Sequence, residues 1–146
     1  MILIARFRRS GKSYLSKMKL LLDTQVWLWW FASPENISHS AMDAIEDPKN
    51  ELYFSSASSL EIAIKVRLKK LTLPEDPGTY VLSRLAVGKV NGLSVTHEHA
   101  LGVASLPPIH EDPFDRLIVA QALCEKMRLV TADKVLVKYP ISFLKA

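Results

Sequence analysis

Three leucines in a row, Leu20, Leu21 and Leu22, stop abruptly at a carboxylate, Asp23. A short run that is apolar at every position is the pattern of a strand buried on both faces, as at the centre of a parallel sheet. Asp23-Thr24 then gives a helix N-cap signal, and Val26, Trp27 and Trp30 recur at helical spacing. The pattern predicts a central strand, an acid at its carboxyl end, and a helix leading away. Trp27, Trp29 and Trp30 cannot all face one core from such a helix, so one is a candidate for an interface while core packing is favoured for at least two.

Strand and helix signals alternate along the rest of the chain. Ser33-Pro34-Glu35-Asn36 reads as a turn, and Ser38 caps a short helix over Ser40 to Glu46 with Ala41, Ile45 and Met42 as its inward set. Asp47-Pro48-Lys49-Asn50 breaks it, and Leu52-Tyr53-Phe54 reads as a second strand that runs into Ser55, Ser56, Ser58 and Ser59. Leu60, Ile62, Ile64, Val66 and Leu68 then alternate with polar or small residues, which argues for a strand. Against that, Ser58 and Glu61 have the spacing of a capping box, and a parallel neighbour needs a crossover. The balance favours a helix from about Ser59 to Lys69.

Pro74 to Gly78 reads as a loop, followed by a helix through Tyr80, Val81, Leu85 and Ala86 that Gly88 closes. Asn91-Gly92 reads as a turn, Leu93-Ser94-Val95 as a third strand, and Thr96 as the cap of a helix from His97 to about Ser105. His97 and His99 point to different faces of that helix, so they make a weak metal pair and read as solvent-facing. LPPIHEDP, from Leu106 to Pro113, is a proline-rich loop. FDRLIVAQALCEKM after it is strongly helical, with Leu117, Ile118, Ala120 or Gln121, and Cys124 at core spacing, and with Pro113 and Asp115 in the first turn. Leu129-Val130-Thr131 predicts a fourth strand that ends at Ala132-Asp133. A short turn or helix through Val137 leads to a last strand over Ile141 to Leu144. The alternation predicts one α/β domain with a parallel sheet of four to five strands and helices on both faces.

Composition narrows the class. With 146 residues, 49% of them hydrophobic, the chain can bury a core, and no apolar run approaches the roughly 18 residues of a membrane span. A cytoplasmic protein is the default reading. The single cysteine, Cys124, excludes an internal disulfide framework and reads as a buried helix residue. The formal charge of +4 belongs to one end: residues 1–17 carry Arg6, Arg8, Arg9, Lys12 and Lys17 and no acid, and removing those five leaves −1. Residues 1–17 therefore read as a basic extension and residues 18–146 as the domain. The extension is either an upstream addition to the reading frame or a flexible arm for nucleic acid. Gly11-Lys12-Ser13 lacks the first glycine of a phosphate loop, since Arg6 stands there.

The acids carry the chemistry. Asp23 follows the first strand, Glu61 sits one turn into the helix after the second, Asp115 opens a helix, and Asp133 follows the fourth strand. In a parallel sheet all of these belong at the carboxyl ends of the strands, where open α/β sheets build their crevices. Each acid has a bland alternative: Asp23 as a helix cap, Glu61 as a capping-box partner. Together, crowded carboxylates repel, and a bound cation relieves them; an all-oxygen set points to Mg²⁺ or Mn²⁺ rather than zinc. Such a site activates water and stabilises charge on a phosphate. Lys65, one turn after Glu61, faces the same edge or simply pairs with it.

LLLDTQVWLWW, SSLEIAIK, HEDPFDRLIVAQA and LVTAD, in this order and spacing, closely resemble PIN-domain proteins of the VapC toxin type. The resemblance runs from about Met18 to Leu144, and DPFDRLIVAQA is its most specific block. It implies a Mg²⁺- or Mn²⁺-dependent endoribonuclease that cuts structured RNA such as tRNA or rRNA, is restrained by a small antitoxin, and forms a homodimer. By position it implies that Asp23, Glu61 and Asp115 hold the metal and its water, and that Asp133 completes or orients that shell with Thr131 beside it as a hydrogen-bonding partner. Asp112 reads as a loop or turn residue second to Asp115. Arg116 reads as a contact for phosphate or antitoxin, or as an exposed ion pair. The basic extension departs from the family pattern. The competing readings are an RNA- or partner-binding module without turnover and a PIN nuclease of general RNA processing. Phosphoryl transfer through an aspartyl-phosphate ranks last, because Gln25 stands where its second acid belongs.

Overall fold

The computed structural model describes residues 17–146. The predicted basic extension lies outside the described residues except for Lys17, whose ammonium pairs with Glu51 at 2.8 Å. The leucine run forms strand β1 (Lys19–Leu22), and the element order continues as α1 (Thr24–Ala32), α2 (His39–Glu46), β2 (Glu51–Ser55), α3 (Ser56–Arg67), α4 (Pro77–Gly88), β3 (Asn91–Leu93), α5 (His97–Gly102), α6 (Pro113–Glu125), β4 (Arg128–Thr131) and β5 (Phe143–Lys145). All strand pairings are parallel and the sheet order is β3-β2-β1-β4-β5. The predicted class, a five-stranded parallel α/β domain, is therefore what the chain adopts.

β1 is central, and its side chains separate by parity. Leu20 and Leu22 enter one core with Val26 and Trp27 of α1, Ala41 and Ile45 of α2, Ile62 of α3, and Tyr80 and Val81 of α4. Leu21 enters the other with Leu129 of β4, Ile118, Val119 and Ala122 of α6, and Leu136 and Tyr139 from the segment after β4. Successive strand side chains point to opposite faces, so an unbroken leucine run serves two cores at once. Trp27 is fully buried, stacked on Phe54 at a centroid distance of 4.4 Å and met edge-on by Tyr80 at 5.9 Å. Trp29 and Trp30 are only partly buried.

Several local expectations fail. The helix after β2 begins at Ser56, one turn earlier than predicted, with Ser55 as its cap accepting from the Ala57 amide at 3.0 Å. Ser58 is buried inside the helix and accepts from the Thr24 hydroxyl at 2.7 Å, so the Ser58–Glu61 capping box does not form. β3 covers Asn91–Leu93 rather than Leu93–Val95: Asn91, at the edge, pairs with Tyr53 and donates from its side chain to the Leu52 carbonyl at 3.1 Å. Cys124 is exposed and His99 is buried, the reverse of both readings. Thr96 does cap α5, and His99 completes a capping box by accepting the Thr96 amide at Nδ1 at 3.0 Å. Among the described residues no helix is long and apolar enough to cross a membrane.

Candidate metal centre

The order β3-β2-β1-β4-β5 reverses direction between β1 and β4, and ligand crevices form at the carboxyl ends of strands flanking such a point. The Asp23 amide bonds the Val130 carbonyl at 3.0 Å, which holds the end of β1 against β4. The Thr131 hydroxyl donates to Asp23 Oδ2 at 2.7 Å. Asp23 occupies the N-cap position of α1 but makes no capping hydrogen bond with its side chain. The bland reading of Asp23 therefore fails: its carboxylate faces across the switch point instead.

A cleft of about 460 Å³ opens over this junction. Its acidic wall consists of Asp23, Glu61, Asp112, Asp115 and Asp133. Each acid is delivered by a different device. Glu61 projects from α3 after the serine-capped turn and is held by Lys65 at 2.9 Å, one turn further on. Asp112 caps α6, accepting from the Phe114 and Asp115 amides at 2.9 and 3.1 Å, and so sets Asp115 on the first turn. Asp133 follows β4, and its amide donates to the Thr131 hydroxyl at 3.0 Å while its carboxylate accepts from the Val135 amide at 2.7 Å. The lining also includes the apolar Leu28, Trp29 and Leu71 and the cationic Lys65 and Lys70.

The electrostatics are those of carboxylates short of counter-charge. Burial pushes Asp23 up to about 7, with Asp115 and Asp133 adding repulsion, against the hydrogen bonds from Thr131 and the Thr24 amide. Burial likewise pushes Asp115 up to about 6; the hydrogen bond from His110 opposes this, and the charges of Asp112, Asp133 and Glu61 reinforce it. Strongly perturbed acids in a cleft mark a functional site, and here the cause is desolvation plus like charge, which a cation relieves. The donor set is all oxygen and fits Mg²⁺ or Mn²⁺. Among the described residues the only trio with ligand atoms all within 4.8 Å of one another is His99, Cys124 and Glu125, not these acids. A small hard cation that keeps several waters and takes one or two carboxylates directly suits such a cleft.

The His99–Cys124–Glu125 trio does not read as a second metal centre. His99 Nδ1 accepts the Thr96 amide, so Nε2 carries the ring hydrogen and donates to Glu125 at 2.6 Å. A ligating imidazole has the opposite polarity, one nitrogen free for metal and the other donating outward.

Of the residues singled out in the sequence, Asp23, Glu61, Asp112, Asp115 and Asp133 share the cleft, and Thr131 lies beneath it. Arg116 is half-buried at a second cleft, beside Pro108, His110 and Glu111, and makes no ion pair among the described residues. Its guanidinium donates to the carbonyls of Pro107, His110, Val103 and Leu106 and to the Tyr139 hydroxyl, at 2.9 to 3.5 Å. Sequence reading missed His110, Tyr139, Trp29 and Lys70. His110 stood within the motif block HEDPFDR; Tyr139 and Lys70 had no local signal at all.

Residues 20–141 match the PIN domain family. Ribonuclease VapC22 of Mycobacterium tuberculosis is 36% identical over 116 residues, covering 79% of this chain and 87% of that protein. Among solved structures, VapBC2 from Rickettsia felis bound to a DNA fragment from its promoter has a TM-score of 0.67 at 15% identity, covering 88% of this chain and 98% of that one. A toxin–antitoxin complex from Klebsiella pneumoniae has a TM-score of 0.58 at 18% identity, covering 86% and 96%. These structural likenesses concern the fold; the sequence matches carry the family. The chain is a member of the PIN-domain family, of the VapC type.

Proposed function

We propose that this chain is a divalent-metal-dependent endoribonuclease that acts as the toxin of a toxin–antitoxin pair. The observation that carries the reading is the convergence of Asp23, Glu61, Asp115 and Asp133 on one cleft at the sheet's switch point, with Asp23 and Asp115 both pushed up toward neutrality. Asp23, Glu61 and Asp115 would hold Mg²⁺ or Mn²⁺, with Asp133 completing or orienting the shell. A bound divalent ion supplies an activated water and charge stabilisation on a phosphodiester. Asp23 and Asp115, once ionised, are placed to hold a water proton and to balance that charge. Thr131 keeps Asp23 in one orientation. Lys65 offsets Glu61, whereas Lys70 has no carboxylate partner among the described residues and offers its charge to an anion. Trp29, Leu28 and Leu71 give the same cleft an apolar wall suited to a nucleobase beside the phosphate. The substrate class is RNA, with structured species such as tRNA or rRNA as the expected targets.

The toxin role is supported by the relative named Ribonuclease VapC22 and by structural neighbours solved as toxin–antitoxin complexes, which together favour a small antitoxin as partner. Homodimerisation is supported by Leu60, Ile64 and Leu68, which stand one helical turn apart along α3 and its end at 55%, 39% and 56% exposure. The test is incubation of the purified protein with total cellular RNA, with Mg²⁺ or Mn²⁺ against chelator, beside Asp115→Asn. Discrete fragments that need both metal and Asp115 are expected. Wild-type cleavage by Asp115→Asn, or no cleavage by a folded, metal-binding, antitoxin-free wild type, overturns the reading; the second outcome leaves a binding module.

A further inference from the structure

Asp115 is not held by its own helix alone. His110 Nε2 lies 3.2 Å from Asp115 Oδ2, His110 Nδ1 lies 2.7 Å from the Tyr139 hydroxyl, and Arg116 Nη1 lies 3.1 Å from that same hydroxyl. The direction of each bond follows from the donor inventory. A guanidinium only donates, so the Tyr139 oxygen accepts from Arg116. An ionised carboxylate only accepts, so His110 Nε2 carries the ring hydrogen and donates it to Asp115 Oδ2, and Nδ1 of the neutral imidazole accepts from the Tyr139 hydroxyl. The result is a one-way chain, Arg116 to Tyr139 to His110 to Asp115, that starts at a clamp and ends in the cleft.

The clamp is rigid. Tyr139 is 3% exposed and packs in the core beneath β4, and its ring meets the His110 ring edge-on at 5.5 Å. Arg116 gathers the carbonyls at both ends of the proline-rich loop, Pro107 and His110 among them, and fixes the loop that carries the imidazole. The side chains of His110 and Asp115 are themselves only 21% and 18% exposed. A carboxylate held at Oδ2 by a fixed donor cannot rotate freely, and Oδ1 is the oxygen that His110 leaves unengaged.

We propose that His110 is a positioning residue for the metal centre, orienting the Asp115 carboxylate through Nε2, with Tyr139 and Arg116 holding the imidazole. The proposal rests on the reading of Asp115 as a metal-holding residue. Outer-shell donors of this kind orient a ligand, and their loss typically lowers metal affinity about 10- to 100-fold. His110 differs from Asp112, which hydrogen-bonds the helix backbone and not the Asp115 carboxylate.

The experiment is calorimetric titration of Mn²⁺ into the wild type, His110→Leu, His110→Gln and Tyr139→Phe, with far-ultraviolet circular dichroism as the fold control and RNA cleavage measured beside it. His110→Leu is expected to lose about tenfold or more in Mn²⁺ affinity. His110→Gln places an amide N–H where Nε2 stood and recovers most of it, and Tyr139→Phe, which frees the imidazole, falls between. Wild-type Mn²⁺ affinity in a folded His110→Leu overturns the proposal and leaves the metal reading standing. A wild type that binds no Mn²⁺ removes the metal reading and this proposal with it. If His110→Leu does not fold, His110→Gln against the shorter His110→Asn decides: retained affinity in the first alone supports the positioning role, and equal affinities overturn it.

Discussion

Thr131 and Asp23 lie 108 residues apart in sequence and are joined by a 2.7 Å hydrogen bond from the threonine hydroxyl to the buried carboxylate. The same hydroxyl accepts the Asp133 amide at 3.0 Å, so one side chain ties the ends of β1 and β4 together under the cleft. Thr131→Val keeps the shape and removes both bonds. Asp23, already at about 7, is expected to titrate higher still, because Thr131 is the strongest influence holding it down. Carboxyl-carbon NMR of the metal-free protein reads that shift. Leaving the Asp133 amide unpaired costs about 1–3 kcal/mol of stability, measurable by urea unfolding. An unmoved Asp23 titration counts against this account of the junction.

The raised Asp23 and Asp115 values set the pH dependence of the metal-free protein. Both groups bind protons more tightly folded than unfolded, so between about pH 4 and 7 the native state carries more protons. Stability therefore falls as pH rises through that window, and is lowest above it. Asp23→Asn is expected to flatten the profile and to be more stable than the wild type at pH 8, by at most on the order of 4 kcal/mol. Saturating Mn²⁺ is expected to restore the wild type at pH 8 and to do little for the variant. Melting temperatures across pH, with and without Mn²⁺, test both statements, and a wild type that gains stability from pH 4 to 7 contradicts them.

What could be read from residues alone was whatever local chemistry determines. The leucine run, the caps Ser38 and Thr96, the proline at the start of α6 and the acids after β1 and β4 each announce themselves within a few positions. The errors share a different cause: tertiary surroundings overrode local pattern. Residues Ile118 to Ala122 are all buried, because α6 packs on α5 as well as the sheet, so helical periodicity says little about it and Cys124 was placed on the wrong side. Asn91-Gly92 looks like a turn but joins the sheet at its edge, where β2 supplies the partners. Ser58 sits in a run of serines that offers several equivalent caps, and only packing against Thr24 decides among them. His99 had a local signal, since it stands three residues after Thr96 at the capping-box position, though an imidazole seldom fills it. The acids were found, yet their orienting partners His110 and Tyr139 come from a loop and a turn that no periodicity marks.

Arg116 is a tie for the proline-rich loop, and its substitution is expected to act on stability before it acts on RNA. Two terminal nitrogens with four fixed N–H donors reach four carbonyls and a hydroxyl, which a lysine ammonium with three donors cannot reproduce. Arg116→Lys is expected to cost about 1–3 kcal/mol. It should also open residues 106–112 to proteolysis. Urea unfolding and limited digestion measure both. A fully stable Arg116→Lys with weakened RNA binding would return Arg116 to the phosphate role.

The apolar stripe on α3 separates assembly from chemistry. Ile64 is 39% exposed between Leu60 and Leu68, so a charge there leaves the monomer core untouched. Ile64→Asp is expected to convert a dimer to a monomer by sedimentation while the metal-free melting curve measured at low concentration stays in place. An unchanged sedimentation profile removes this face as the homodimer surface.

Lys70 isolates substrate binding from metal binding. It lines the cleft with Trp29 and Leu71, and among the described residues no carboxylate answers its charge. Lys65 in the same cleft is different, because Glu61 holds it at 2.9 Å and raises its pKa. Lys70→Ala is therefore expected to raise KM for RNA several-fold, with kcat and Mn²⁺ affinity unchanged. It should also lower the salt dependence of binding by about one phosphate contact. Lys65→Ala should instead disturb Mn²⁺ affinity, because it releases Glu61. Steady-state cleavage at two salt concentrations, with Mn²⁺ titrations alongside, distinguishes the two lysines. Identical behaviour of the two variants would mean that the cleft walls do not divide into a metal side and an RNA side.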